Sequence, residues 1–492
     1  MSANDKAVPG SASQAQRTDK GAGATIAAGW VAETGTRRFG GPAHWLCAAA
    51  VLHLVLSATI YGLGHYALFP AFFDAHGVAV AFASDGVRYR ADAAALSGAL
   101  WGGEFRYWVG ADHPFHVKLY SVCFAIFGPW MGYNVAGAAP LNALWYLASL
   151  VLVFRLGREV FDRRTGLLAA SMVALWPSFL LHTTQFLKDP LFVVGMLALS
   201  LVIVRWLTRT YSRMGALATG GAGALIAIVL WLARSDMGEL LVATVLLGAV
   251  MLAAQTLSGE NRRATNLLGM ALLIVVTVSV PLVIPHALEL GRSPSSVKAS
   301  AARREALHRA TAEETLGATP REASRTSLRS RATAHVGTVR RRFIEMYPDS
   351  GSNIDGDVQL NDTADLLRHL PRAVAVGFFA PFPNMWLATG KQVGFAGRLL
   401  SGLESLLMYA IEGLALFGVW RARRRLSAWF LLSVASIGMI ALGLVVINIG
   451  TLYRLRYVFL ILLIILAAHG AARITGRLSK QPREIKESDV TG

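Results

Sequence analysis

The sequence predicts an all-α, polytopic membrane protein of about ten transmembrane helices with extracytoplasmic juxtamembrane helices, and three observations predict it. Of its 492 residues, 54% are hydrophobic and only 16% charged, where a soluble chain carries roughly a quarter. Apolar runs of about twenty residues, long enough to cross a bilayer, recur along the chain. The formal net charge of +17 is gathered largely into arginine clusters between those runs. That is the pattern of cytoplasmic loops, not of nucleic-acid binding.

Residues 1–41 are rich in Ala, Gly, Ser and Thr and lack a cleavable signal pattern, so they read as a disordered cytoplasmic tail. Arg37 and Arg38 hold the start of the first span, residues 44–64, inside. Residues 65–133 are too mixed for a simple span. They read as one external loop with surface helices over 87–101 and 117–127 and with Trp101, Trp108 and Trp130 at interfacial depth. The alternative is a span over 117–131. Arg155, Arg158, Arg163 and Arg164, after the run 136–154, decide against it. They lie inside only if 65–133 stays outside as a single loop.

The same alternation carries on through runs at 167–181, 191–206, 216–232, 240–254 and 267–284. Gly220, Gly221 and Gly223 predict close helix packing in the fifth of the spans. Residues 42–286 thus form a transmembrane core, and residues 287–397 a long extracytoplasmic insertion. The arginine-rich part of that insertion, 292–342, has little apolar periodicity, and poor packing is expected over 294–334. Pro371, Pro381 and Pro383 argue for a surface or re-entrant segment after it. Runs at 399–420, 429–447 and 457–471 complete the C-terminal transmembrane helices, residues 398–472. Residues 473–492 are a second cytoplasmic tail, so both termini are expected inside. No internal repeat is evident, which counts against many transporter folds. Cys47 and Cys123, both in apolar surroundings, support neither a disulfide framework nor a zinc site.

The most unusual connection is 176–192, W-P-S-F-L-L-H-T-T-Q-F-L-K-D-P-L-F. A tight link between two spans needs few polar residues, and this one carries His182, Gln185, Lys188 and Asp189. Asp189 at N-cap with Pro190 at N1 is a common helix start. It does not account for Lys188 or His182. On the expected topology, the polar residues that the arginine pattern leaves unexplained fall on one side: Asp85, His116 and Lys118 in the first external loop, Lys188 and Asp189 in the second, Arg234 and Asp236 after the fifth span, and Arg454 and Arg456 after the ninth. One interfacial carboxylate can accept a hydroxyl proton, and arginine or lysine can hold a departing phosphate. Asp85 with Lys188, Arg234, Arg454 and Arg456 would supply both, with Tyr89, His116 and Asp189 as further substrate-binding candidates. Each has a plainer reading. Ser84 or Asp85 could cap a helix starting at Val87. Arg454 and Arg456 could anchor lipid head groups. His113 and His116 lack a third ligand at metal spacing and read as interfacial hydrogen-bonders.

The acid beyond the first span, the surface helix and then G-R-E-V-F-D-R-R-T-G-L-L-A-A-S-M-V-A-L-W-P-S-F-L-L-H-T-T-Q-F-L-K-D-P-L-F resemble the GT-C superfamily of membrane glycosyltransferases, in its protein-mannosyltransferase and aminoarabinose-transferase-like, family-39-like group. The resemblance is best over 81–206, and the last third matches in general plan. It implies transfer of a sugar from a polyprenyl-phosphate donor to a glycan, lipid or protein acceptor outside the membrane, here expected to be a bacterial plasma membrane. It carries Asp85 over as the first-loop catalytic acid and Asp189 as the acid of the second external loop. Family members often have paired first-loop acids where this chain has Ser84-Asp85-Gly86. No cofactor or bound divalent metal is therefore assigned, and Asp74 is the alternative to Asp85. Single displacement by one base implies inversion. Two other classes are a polymerase or ligase acting on whole lipid-linked glycans, and a transporter or flippase. A transporter needs ionisable groups at mid-membrane depth, and Glu404 and Glu412 in the eighth span are the exceptions to otherwise nearly charge-free span interiors.

Overall fold

A twenty-residue apolar run in lipid has to satisfy its backbone within itself, and the α-helix is how a single segment does so. The computed structural model describes residues 42–73, 80, 83, 85–259, 264–290, 328–346, 348, 351–387 and 394–478. Asp74 and Ser84 lie outside them. The chain divides into two units, Met1–Cys47 and Ala48–Gly492. Of the first, only residues 42–47 are described, as helix.

The described residues form seventeen helices and no β-strand. First come α1 (Pro42–His65), α2 (Asp85–Trp101), α3 (Phe105–Gly110), α4 (Phe115–Met131) and α5 (Val135–Val160). There follow α6 (Arg163–Ala174), α7 (Pro177–Thr183), α8 (Asp189–Thr208), α9 (Arg213–Ala233), α10 (Gly238–Leu257) and α11 (Asn266–Leu290). The C-terminal set is α12 (Leu328–Met346), α13 (Thr363–Phe379), α14 (Gly394–Arg421), α15 (Leu426–Val445), α16 (Ile449–Leu455) and α17 (Tyr457–Leu478).

Nine helices among the described residues are long and apolar enough to cross a membrane. A tenth span results if α6 and α7, bent by 68° relative to each other, are one. The bend falls at Trp176-Pro177. A residue before proline is pushed out of the α region, and Trp176 is extended at φ −73°, ψ 111°. The chain is thus an all-α polytopic membrane protein. The three helices between α1 and α5 are not among the candidate spans. In the fifth long run, Gly220 allows backbone contact: a Cβ there would meet the Gly269 carbonyl oxygen of α11 at 2.7 Å. Gly221 faces nothing within 4 Å.

Two segments behave differently from their sequence signals. Pro371 does not end its helix, since α13 runs through it, and Ala373, Val376 and Gly377 of that helix are buried. The chain instead turns at Pro381 and at the short 3-10 turn Pro383–Met385. The arginine-rich stretch falls outside the described residues up to 327, and α12 begins at Leu328. Arg340 of α12 is buried, donating to the carbonyls of Val358 (2.9 Å), Leu444 (2.7 Å) and Asp355 (2.5 Å). One arginine thereby fastens residues 355–358 to the end of α15.

The core that positions the site is small and aromatic. Ala93 and Leu96 of α2, Val117, Tyr120 and Phe124 of α4, and Val135 and Ala138 of α5 close around Phe186. Phe186 draws its whole connection inward, so Thr183, Thr184 and Gln185 are buried rather than laid on a surface. Their side-chain polar atoms find partners inside the protein. Thr183 and Thr184 hydroxyls donate to the Leu180 and Leu181 carbonyls at 2.9 and 2.8 Å. Gln185 Nε2 donates to Thr184 Oγ1 at 2.9 Å, and its Oε1 accepts from the Val80 amide at 3.2 Å.

Candidate functional site

Helix ends deliver the charged groups. Asp85 opens α2 and Tyr89 lies one turn on, while His116 is in the first turn of α4. Lys188 and Asp189 stand at the start of α8. Arg234 lies between α9 and α10 and is followed by Asp236 in the 3-10 turn Ser235–Met237. Arg454 sits on α16 and Arg456 just past its end.

Asp189 does not cap its helix through its side chain. Helix α8 starts at Asp189 itself, with Lys188 in the cap position and no side-chain cap bond. The carboxylate instead meets Arg234, Nη1 to Oδ1 at 2.5 Å, with both side chains 7% exposed. A buried charge needs such a partner. Arg234 also approaches Asp236 Oδ2 at 3.5 Å, and Lys188 Nζ lies 3.6 Å from Asp236 Oδ1. On the other side, both terminal nitrogens of Arg454 lie 3.5 Å from Asp85 Oδ2. The Asp85 side chain is 51% exposed. Tyr89 and His116 stand between these pairs, their rings edge to face at 4.4 Å.

The electrostatics tie the groups into one neighbourhood. Burial first, then the Asp85 charge, pushes the Tyr89 phenol up to about 12, and Arg234, Asp189 and Arg454 also act on it. Burial and then Lys188 hold the His116 imidazole down to about 3, so it is neutral at ordinary pH. Neither ring nitrogen of His116 has a hydrogen-bond partner among the described residues. Burial first, then the Arg234 charge, lowers the pKa of the Lys188 ammonium. Asp85, Tyr89, His116, Lys188, Asp189, Arg234 and Arg454 therefore share a site.

Arg456 does not face it. Its guanidinium donates to the Ala380 carbonyl and lies 4.4 Å over the Tyr453 ring. A separate buried network lies beside it. Glu404 of α14 accepts from the Ser178 amide at 2.6 Å and from the Tyr453 hydroxyl. The Tyr457 hydroxyl is 2.8 Å from His182 Nδ1. Sequence reasoning did not connect Glu404 to Tyr453 in this neighbouring network, although a carboxylate inside an apolar run and a tyrosine next to Arg454 were the signals. Among the described residues no three His, Cys, Asp or Glu side chains group as metal ligands. Of the two candidate acids, Asp189 is engaged by Arg234 and Asp85 faces Arg454.

Fold and site together define a multi-pass helical membrane protein with a cluster of cations and carboxylates at its helix ends. No protein-family model and no curated protein matches the chain. Among solved structures it is similar to the oligosaccharyltransferase AglB of Archaeoglobus fulgidus in complex with an inhibitory peptide and a dolichol-phosphate, with TM-score 0.48 and 16% identity over 88% of this chain and 51% of that one. It is also similar to the apo form of the Archaeoglobus fulgidus oligosaccharyltransferase, with TM-score 0.45 and 15% identity over 88% and 51%. The chain spans about half the length of these proteins.

Proposed function

We propose that the chain is a membrane glycosyltransferase that moves a sugar from a polyprenyl-phosphate donor to a hydroxyl of a glycan, lipid or protein acceptor. The transfer takes place at the extracytoplasmic face of a bacterial plasma membrane. The observation that carries the reading is the contrast between two carboxylates. Asp189 is sealed against Arg234 at 2.5 Å. Asp85 is half-exposed and meets Arg454 only at 3.5 Å. A carboxylate that is accessible and loosely held beside cations suits a general base next to a phosphate leaving group.

In the proposed reaction Asp85 accepts the proton of the acceptor hydroxyl. That oxygen forms the new bond to the anomeric carbon as the carbon–oxygen bond to the carrier phosphate breaks. The phosphate leaves with the bonding electrons and is held by Arg454 and Lys188 in charge-assisted hydrogen bonds. One displacement inverts the anomeric configuration. Asp236 lies 3.6 Å from Lys188, the Arg234–Asp189 pair anchors the helix start beside it, and Tyr89 and His116 form the wall between the two charge pairs. No step passes through a metal.

The test is transfer by purified protein with polyprenyl-phosphate hexoses and pentoses, the donor first identified as the lipid-linked sugar that accumulates when the protein is inactivated. Asp85→Asn keeps shape and helix-start chemistry, because asparagine caps about as well as aspartate. It should lower the transfer rate by about a hundred- to ten-thousand-fold. Near-normal turnover would overturn the assignment of Asp85 as base.

A further inference from the structure

Glu404 is a carboxylate inside an apolar helix, 2% exposed, and both its oxygens are engaged. Oε1 accepts from the backbone amide of Ser178 at 2.6 Å, and Oε2 from the Tyr453 hydroxyl. The first donor is a helix-end orphan. Helix α7 begins at Pro177, which has no amide hydrogen, and Trp176 offers no side-chain cap. The Ser178 amide therefore has no acceptor within its own helix, and a carboxylate 226 residues away serves as its cap. The second donor is held protonated. Burial, then the Glu404 charge, raises the Tyr453 phenol far above its ordinary value.

These two donors belong to the two segments that carry cations into the proposed transfer site. Helix α7 leads through the buried 183–187 connection to Lys188 and Asp189. Tyr453 immediately precedes Arg454, whose guanidinium reaches Asp85. A further bond, Tyr457 hydroxyl to His182 Nδ1 at 2.8 Å, joins the same two regions. We propose that Glu404 is a positioning residue for transfer, a buried carboxylate that sets α7 against α16 and so fixes where Arg454 meets the donor phosphate. This rests on the functional reading above. Apolar residues would fill the same volume at lower desolvation cost, whereas two directed hydrogen bonds specify a register. A transport carboxylate must release its partners to bind an ion or proton, and Glu404 is fastened to two fixed segments.

The test is a double-mutant cycle on kcat and KM for the lipid-linked donor. Tyr453→Phe keeps the Glu404–Ser178 cap and the ring and removes the tie to α16, so the protein should fold, with a lowered unfolding midpoint because one buried Glu404 oxygen loses its donor. It is expected to lower kcat/KM about tenfold, the scale of one hydrogen bond to a charged group. Adding it to Arg454→Ala should cost nothing further, because the positioned group is already gone. Glu404→Gln retains one acceptor oxygen and an amide donor that the Tyr453 oxygen can accept. It should stay closer to wild type than Glu404→Leu. Wild-type kinetics for Tyr453→Phe, or losses that multiply with those of Arg454→Ala, would overturn the positioning role. If Arg454→Ala and Asp85→Asn themselves leave transfer unchanged, it is the reading of the site that falls.

Discussion

Asp189→Asn probes the tightest contact of the site without altering its shape. The carboxylate lies 2.5 Å from Arg234, and both side chains are 7% exposed. Removing one partner of a buried pair strands the other charge, at a cost of about 3–5 kcal/mol. Arg234 has a fallback in Asp236 at 3.5 Å, but that carboxylate is 50% exposed, and such a contact contributes at most about 1 kcal/mol. The net loss for Asp189→Asn is then about 2–4 kcal/mol. Arg234→Gln strands Asp189 in the same way and should cost a similar amount. Replacing both removes the two charges together, so the double variant should be more stable than the sum of the single losses by about 2 kcal/mol or more. The assay is the unfolding midpoint of the four proteins in one detergent at one scan rate, since unfolding of large membrane proteins is commonly irreversible. Additive losses would show that the two side chains do not hold each other and would remove the sealed pair from the description of the site.

Two further outcomes are expected. Because burial and Arg234 lower the Lys188 pKa, donor affinity should fall with rising pH earlier than an ordinary lysine would allow, and Lys188→Arg should abolish that alkaline limb. The folding linkage has the opposite sign. A cation with a depressed folded pKa penalises the native state at low pH, and the penalty lifts as pH rises, so Lys188 cannot produce the limb by unfolding the protein. For the membrane orientation, Ser235→Cys and Glu104→Cys in a background lacking Cys47 and Cys123 should react with an impermeant maleimide in intact cells, and Arg424→Cys only after permeabilisation. All three positions are exposed, and equal labelling of Ser235→Cys and Arg424→Cys would refute the assigned sides.

The spans were legible because a long apolar run offers its backbone one solution, whereas the 68° bend between α6 and α7 was not, since 167–181 reads as one run through Trp176-Pro177. The burial of 183–187 was not legible either. Thr183, Thr184 and Gln185 belong to a connection expected outside the membrane, yet they are buried and the two threonine hydroxyls each close a bond to a carbonyl three residues back. Bonds of that kind leave no trace in hydropathy. Asp85 and Arg454, 369 residues apart, were brought to one site by topology alone, since both follow spans expected to end on the same side. Which acid holds which cation was hidden, because pairing depends on packing between α8 and the end of α9. Asp189 had a local reading as a cap and a reading as a substrate-binding candidate, and neither named Arg234, the partner 45 residues on. The separation of Arg456 from Arg454 was hidden too, because Arg454 lies in a short helix that ends at Leu455 and Arg456 follows its end.

The lengths of the ion pairs divide the site into a fixed part and an exchangeable part. Three cations, Lys188, Arg234 and Arg454, face three carboxylates, Asp85, Asp189 and Asp236. The 2.5 Å pair is dry on both sides and costly to open. The contacts of Arg454 with Asp85 at 3.5 Å and of Lys188 with Asp236 at 3.6 Å involve half-exposed carboxylates, so water competes for them and they are weak. A phosphate offers these two cations shorter, charge-assisted bonds than the carboxylates give them. In the proposed reaction the arriving donor therefore exchanges with the carboxylates and leaves the Arg234–Asp189 pair closed. The same exchange turns Asp85 from Arg454 toward the acceptor hydroxyl, so the base becomes available when the leaving group it serves is in place.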